Sequence, residues 1–147
     1  MIRIATAADE QAIVELATRA WSETPLGREI PADDKRIRRT AVDAIRSPNV
    51  YLRVLDMGGI HGLIAGTIVP AMTFAGDVAT DLMFYVKPEY RGRGVLLLKG
   101  FLRWAFGFDT VAYAALGISS GDERTAEFYQ RLGAERVGGV FIVRRKS

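Results

Sequence analysis

The chain contains no cysteine, which excludes disulfides, thiolate metal sites and cysteine nucleophiles together. Its single histidine, His61, cannot assemble a histidine metal cluster. No apolar run approaches the ~20 residues that a membrane-spanning helix needs. The opening "MIRIATAADE" lacks the apolar segment of a secretory signal, so a soluble, cytoplasmic protein is expected. Repeats, low-complexity tracts and linkers are also missing. Nor is there a large excess of one charge: 20 basic and 17 acidic residues among 147 give a formal net charge of +3, which favours polyanionic ligands only weakly. The basic stretches "RRTAVDAIR" and "RRK" carry no interleaved aromatic RNA-binding signature. Nucleic acid is therefore not an expected partner.

What is present is an ordinary globular balance, 49% hydrophobic and 25% charged, in a length that suits one domain over 1–147 with a sizeable core. "IRIAT" alternates as a short strand. Thr6 and Asp9 resemble a capping box, after which Ile13, Leu16, Ala17 and Ala20 recur at helical spacing to about Trp21. Asp33 starts a second helix with Ile37, Ala41, Ala44 and Ile45 on one face, ended by "SPN". Val50 to Asp56 and Ile60 to Pro70 form a hairpin about "MGG", and Ala79 to Val86 is an apolar strand stopped by Pro88. A third helix runs from about Gly94 to Phe106 with a wide apolar stripe. A strand over Thr110 to Ile118 follows. A fourth helix then runs from about Gly121 to Leu132, with Phe128 and Leu132 as its core-suited stripe and Gly133 as its C′ residue. "AERV" and "VFIVRR" close the chain as a pair of strands around Gly138 and Gly139. This order predicts a mixed sheet flanked by helices.

The informative segment is "YVKPEYRGRGVLLLKGFLRWA", residues Tyr85 to Ala105. A helix start exposes N–H groups without intrahelical partners and the positive end of the macrodipole. Glycine there lets a phosphate reach the main chain with no Cβ in the way, and Arg91 and Arg93 can add charge-assisted contacts. A P-loop would need a Gly-Lys-Ser/Thr ending, and the dinucleotide fingerprint a third glycine where "GRGVLL" has leucine. On these residues alone the turn reads equally as a pyrophosphate cradle or as a plain strand–turn–helix joint with solvated arginines.

Two ordered motifs extend this reading. "VKPEYRGRGVLL" resembles the acetyl-CoA loop of the GNAT superfamily of N-acetyltransferases, V-x-P-x-x-R/Q-G-x-G-x-G/A, with Val86, Pro88, Arg91, Gly92 and Gly94 on matching positions. "DERTAEFYQRLGAE" resembles the family's second motif, N-x-R-A-x-x-h-Y-x-x-x-G-F (h apolar), through Asp122, Arg124, Phe128, Tyr129 and Gly133. Leu96 replaces a small residue, Asp122 an asparagine and Ala134 an aromatic residue of those patterns.

The resemblance covers the whole chain. It implies an α/β fold with a mostly antiparallel sheet of about seven strands, about four flanking helices and a splay between strands 4 and 5. It also implies acetyl-CoA as cofactor, held by Tyr85, Val86, Arg91, Gly92, Arg93, Gly94, Val95, Leu96, Asp122 and Tyr129. A small-molecule or peptide amine would be the acceptor, attacking directly without a covalent enzyme intermediate, and a homodimer is compatible with it. Main chain near Tyr85 and Val86 would polarise the acetyl carbonyl. Tyr129, a phenol with an unperturbed pKa of about 10, is the candidate general acid, against a packing role. Asp81 is the candidate base, against plain solvation near the strand's start. Glu123 and His61 fit the base less well, Asp33 and Asp34 read as helix-start charges, and Trp21 reads as core or acceptor-site wall. The second function left open by Leu96 and Asp122 is a CoA-binding sensor or assembly domain without catalysis.

Overall fold

The computed structural model describes residues 1–118 and 123–146, which fall into two compact units, Met1–Gly117 and Ile118–Ser147. The first unit is built on a five-stranded sheet in the order β1-β2-β3-β4-β5, with β1 Ile2–Ile4, β2 Val50–Asp56, β3 Ile60–Pro70, β4 Asp77–Val86 and β5 Val111–Ala115. The first four strands are antiparallel neighbours, and β5 joins β4 in parallel.

The sheet carries helices on both faces because its strands alternate apolar side chains to both sides. α1 (Glu10–Ser22) and α2 (Asp34–Arg46) pack Ile13, Val14, Leu16 and Ala41 against Leu52, Val54, Leu63, Ala65 and Tyr85. α3 (Gly94–Phe106) covers the other face with Leu97, Leu98, Phe101 and Ala105, all fully buried. At roughly 1.5–3 kcal/mol for each fully buried leucine or phenylalanine, this one helix anchors the turn that precedes it. Gly66 on β3 makes room for it: a Cβ there would collide with the Phe101 ring.

Local signals match their elements. Asp33 accepts the backbone N–H of Arg36 at 3.0 Å and so caps α2. Asp9 takes the backbone N–H of Thr6 at 2.8 Å and pairs with Arg3 at 2.8 and 2.9 Å. The strand expected from Ala79 starts two residues earlier, at Asp77, because Thr110 Oγ1 and the Thr110 carbonyl hold that residue.

The second unit contains α4 (Glu123–Arg131), with Gly133 at φ +92° just beyond it, the backbone of a C′ glycine. The closing pair of strands is not formed, so among the described residues the sheet has five strands and not about seven. Residues 134–146 have the alternation of strands, but Val137, Val140, Phe141 and Val143 are each more than 90% exposed. Alternation is a local property, whereas a strand also needs a neighbour to take its N–H and C=O groups. No ladder reaches these residues.

Candidate functional site

The glycine turn lies where β4 gives way to α3. Pro88–Arg93 form a 3₁₀ segment that runs directly into the first turn of α3 at Gly94. Neither Gly92 nor Gly94 has a positive φ. A Cβ on Gly92 would meet nothing within 4 Å, and one on Gly94 would make only ordinary contacts, 3.4 Å to Phe84 and 3.5 Å to Val86. The fold itself thus places no demand for glycine at either position. Gly92 leaves exposed main chain just ahead of the helix, which suits an anion, whereas Gly94 is buried and its N–H donates to the Arg91 carbonyl. Arg93 is exposed and has no ion-pair partner among the described residues, Val95 is half-buried, and Leu96 is 49% exposed on the first turn of α3. His61 stacks on Tyr90 of this turn, ring centroids 4.0 Å apart, and its carbonyl accepts the N–H of Lys87 at 2.9 Å. That places the histidine in a supporting position.

The neighbouring strand opens at its outer edge. β4 pairs with β5 only from Asp77 to Thr80, so Asp81 to Val86 run on without a β5 partner. Register with β3 shifts between Ala65 and Gly66, which face Met83 and Asp81 and leave Leu82 as the bulged residue. Strand groups alternate in direction. Because the Lys87 N–H points to β3, the Val86 main chain points to the open edge, and its carbonyl accepts from Arg91 Nε at 3.4 Å. Asp81 sits where the two strands part. It is half-buried in mid-strand, not solvated at the strand's start, and its carboxylate accepts the Gly117 N–H at 3.1 Å. Burial raises its pKa, and the Gly117 bond opposes that in part.

A second carboxylate, which no sequence motif marks, joins three of these parts. Glu23, the residue that caps α1, accepts the Tyr85 hydroxyl at 2.9 Å and lies 3.7 Å from Arg91 and 3.4 Å from Arg19. Burial first, and then Glu23, push the Tyr85 phenol up to about 12. Only the place of Glu23 at the end of an amphipathic helix could have singled it out.

Tyr129 belongs to the second unit, where it is buried (6% exposed) with Phe128 half-buried beside it, ring centroids 5.9 Å apart. Helical register favours Phe128 and Leu132 as the buried pair; Ala126 and Tyr129 take that role instead. Asp122 lies outside the described residues. Glu123 is exposed and pairs with Arg136 at 3.8 Å. Trp21 is half-buried and donates its indole N–H to the Ile30 carbonyl at 2.7 Å, which pins the loop after α1.

Two clefts of the first unit, about 220 and 210 Å³, are lined by no residue of the glycine turn.

The sequence model of the acetyltransferase (GNAT) family matches residues 11–134. No curated protein sequence matches the chain. Among solved structures, it is similar to a transcriptional regulator from Bacillus halodurans C-125, at 20% identity over 99% of each chain with a TM-score of 0.79. It is also similar to AAC(6')-Iy in complex with a bisubstrate analog, at 18% identity over 100% of this chain and 98% of that one, TM-score 0.76. A ribosomal-protein-alanine N-acetyltransferase from Brucella melitensis biovar Abortus 2308 shares 14% identity over 99% of each chain, TM-score 0.72. At these identities the structures establish the fold.

Proposed function

The chain belongs to the acetyltransferase (GNAT) family, and on that premise we propose that it transfers an acetyl group from acetyl-CoA to a primary amine, which attacks the thioester directly. Acetyl-CoA dependence comes with the family; the amine acceptor and the direct route are our reading. Both units together would form one acetyltransferase domain, since the family match runs through each of them. The observation that carries the reading is the pair Gly92 and Gly94, whose missing side chains the fold does not require.

Bound acetyl-CoA supplies an activated acetyl thioester. The main chain of Arg91 to Leu96 would receive the pyrophosphate, the Gly94 N–H giving up its bond to the Arg91 carbonyl, with Arg91 and Arg93 adding positive charge. The Val86 N–H, on the open edge of β4, is the donor for the developing oxyanion, while Tyr85 braces that strand end through Glu23. Asp81 takes the proton of the amine, directly or through a water. Tyr129 returns a proton to the departing sulfur. The cysteine-free sequence agrees with a route that forms no thioester on the protein. The similar structures named for aminoglycoside and ribosomal-protein-alanine acetylation imply quite different amines, so the acceptor of this chain is drawn from small molecules or peptides alike.

Gly92→Ala tests the cradle. Because a Cβ there meets nothing, thermal stability should hold or rise by about 0.4–1 kcal/mol through the stiffer unfolded chain. CoA affinity measured by calorimetry should fall at least about tenfold, the scale of one lost charge-assisted contact. Unchanged affinity in the folded variant would remove the cradle, and turnover with acetyl-CoA and an amine separates the enzyme from a CoA-binding sensor.

A further inference from the structure

Arg91 is claimed from two sides. Its Nε lies 3.4 Å from the Val86 carbonyl and its Nη2 3.7 Å from Glu23, while the proposed pyrophosphate site is built from the main chain of the same segment. Glu23 in turn is shared: it accepts the buried Tyr85 hydroxyl at 2.9 Å, a short and specific bond, and lies 3.4 Å from Arg19. The Tyr85 bond fixes the carboxylate to the end of β4. The Arg91 pair is longer and half-exposed at both ends, the kind of ion pair that is worth little and is readily exchanged.

We infer that Glu23 is a positioning residue that holds Arg91 away from the cofactor loop and yields it when a pyrophosphate binds there. The inference rests on the proposed function. The pyrophosphate bridge carries two negative charges against the one of a carboxylate and offers the guanidinium bidentate contacts, so it wins the exchange. Tyr85 and Arg19 then keep Glu23 in place at the end of α1, with one cation fewer beside it. Linkage makes the effect reciprocal: whatever weakens the Glu23–Arg91 pair strengthens cofactor binding by the same factor. A purely structural Glu23 has the opposite signature, because losing a brace loosens the site.

The test is a double-mutant cycle on CoA affinity, read by calorimetry with CoA alone, using wild type, Glu23→Gln, Arg91→Gln and the double variant. Glutamine keeps an oxygen for the Tyr85 hydroxyl and removes only the charge, so folding is preserved, and thermal melting checks this. Glu23→Gln should bind CoA about three- to fivefold more tightly, the range of an exposed ion pair. Arg91→Gln should bind more weakly, and the double variant should equal Arg91→Gln, because Glu23 acts only through that arginine. Unchanged or weaker binding in Glu23→Gln would overturn the inference, as would a gain that persists undiminished without Arg91. Wild-type protein that binds no CoA would instead overturn the proposed function itself, and the inference with it.

Discussion

Asp81 is half-buried at the point where β5 leaves β4, and burial lifts its carboxyl above the ordinary 3.8. The sign of the consequence follows from linkage. A carboxyl whose folded pKa exceeds its unfolded one favours the fold while protonated, so its stabilisation is complete below 3.8 and is lost as pH rises through the raised value. An asparagine in place of this aspartate would still accept the Gly117 N–H but would not titrate. Melting temperatures of Asp81→Asn relative to wild type should therefore climb between about pH 3 and pH 7. If Asp81 is also the base, the variant loses about 10²–10⁴ in turnover, and the wild-type rate falls on acidification through an apparent pKa above 3.8. A variant that is stabilised at neutral pH with undiminished turnover would make Asp81 a strand-parting residue only. Its position near a family carboxylate was legible in the sequence. Its burial was not, because that depends on where β5 stops.

Among the elements, the strand–turn–helix joint was the most legible. Proline at a strand end, glycine at a helix start and an apolar stripe at helical spacing are local signals, and α3 begins and ends where they place it, at Gly94 and Phe106. β2 and β3 likewise run from Val50 to Asp56 and from Ile60 to Pro70, as their turn residues indicate. The closing strands failed because the pattern of residues 134–146 says nothing about what they pair with. The bulge at Leu82 was illegible for the same reason, whereas the parting of β4 from β5, which begins after Thr80, was implied by the family resemblance. Gly66 makes the distinction measurable. In the sequence it is one glycine in an apolar strand; in the fold it is the gap that receives Phe101. Gly66→Ala should cost about 1–3 kcal/mol through overpacking against a fully buried ring, read as a lower urea midpoint at unchanged slope. Gly92→Ala, by contrast, should leave that midpoint where it is or raise it. Equal midpoints for Gly66→Ala and wild type would mean that α3 can shift on the sheet without loss.

Across the whole molecule, the proposed roles divide between the two units. The cradle, the open edge of β4, Asp81 and Glu23 all belong to Met1–Gly117, and the candidate acid belongs to Ile118–Ser147. Mutations in the first unit's turn should act on CoA affinity, whereas a proton donor should act on the rate alone. Tyr129→Phe separates the two. It keeps a buried aromatic ring and removes one hydroxyl, so a packing role would show as little more than a small change in melting temperature. A general acid would show differently: turnover at saturating acetyl-CoA should fall by about 10²–10⁴ while calorimetric CoA affinity stays within about twofold, since the substitution keeps the ring and removes only a hydroxyl. The loss should also shrink for an acyl donor whose thiol leaves as a better anion, because a weaker base needs less help from a proton. Near-wild-type turnover in Tyr129→Phe, with the chemical step shown to limit the rate, would assign the proton to solvent and leave Tyr129 as a core residue of α4.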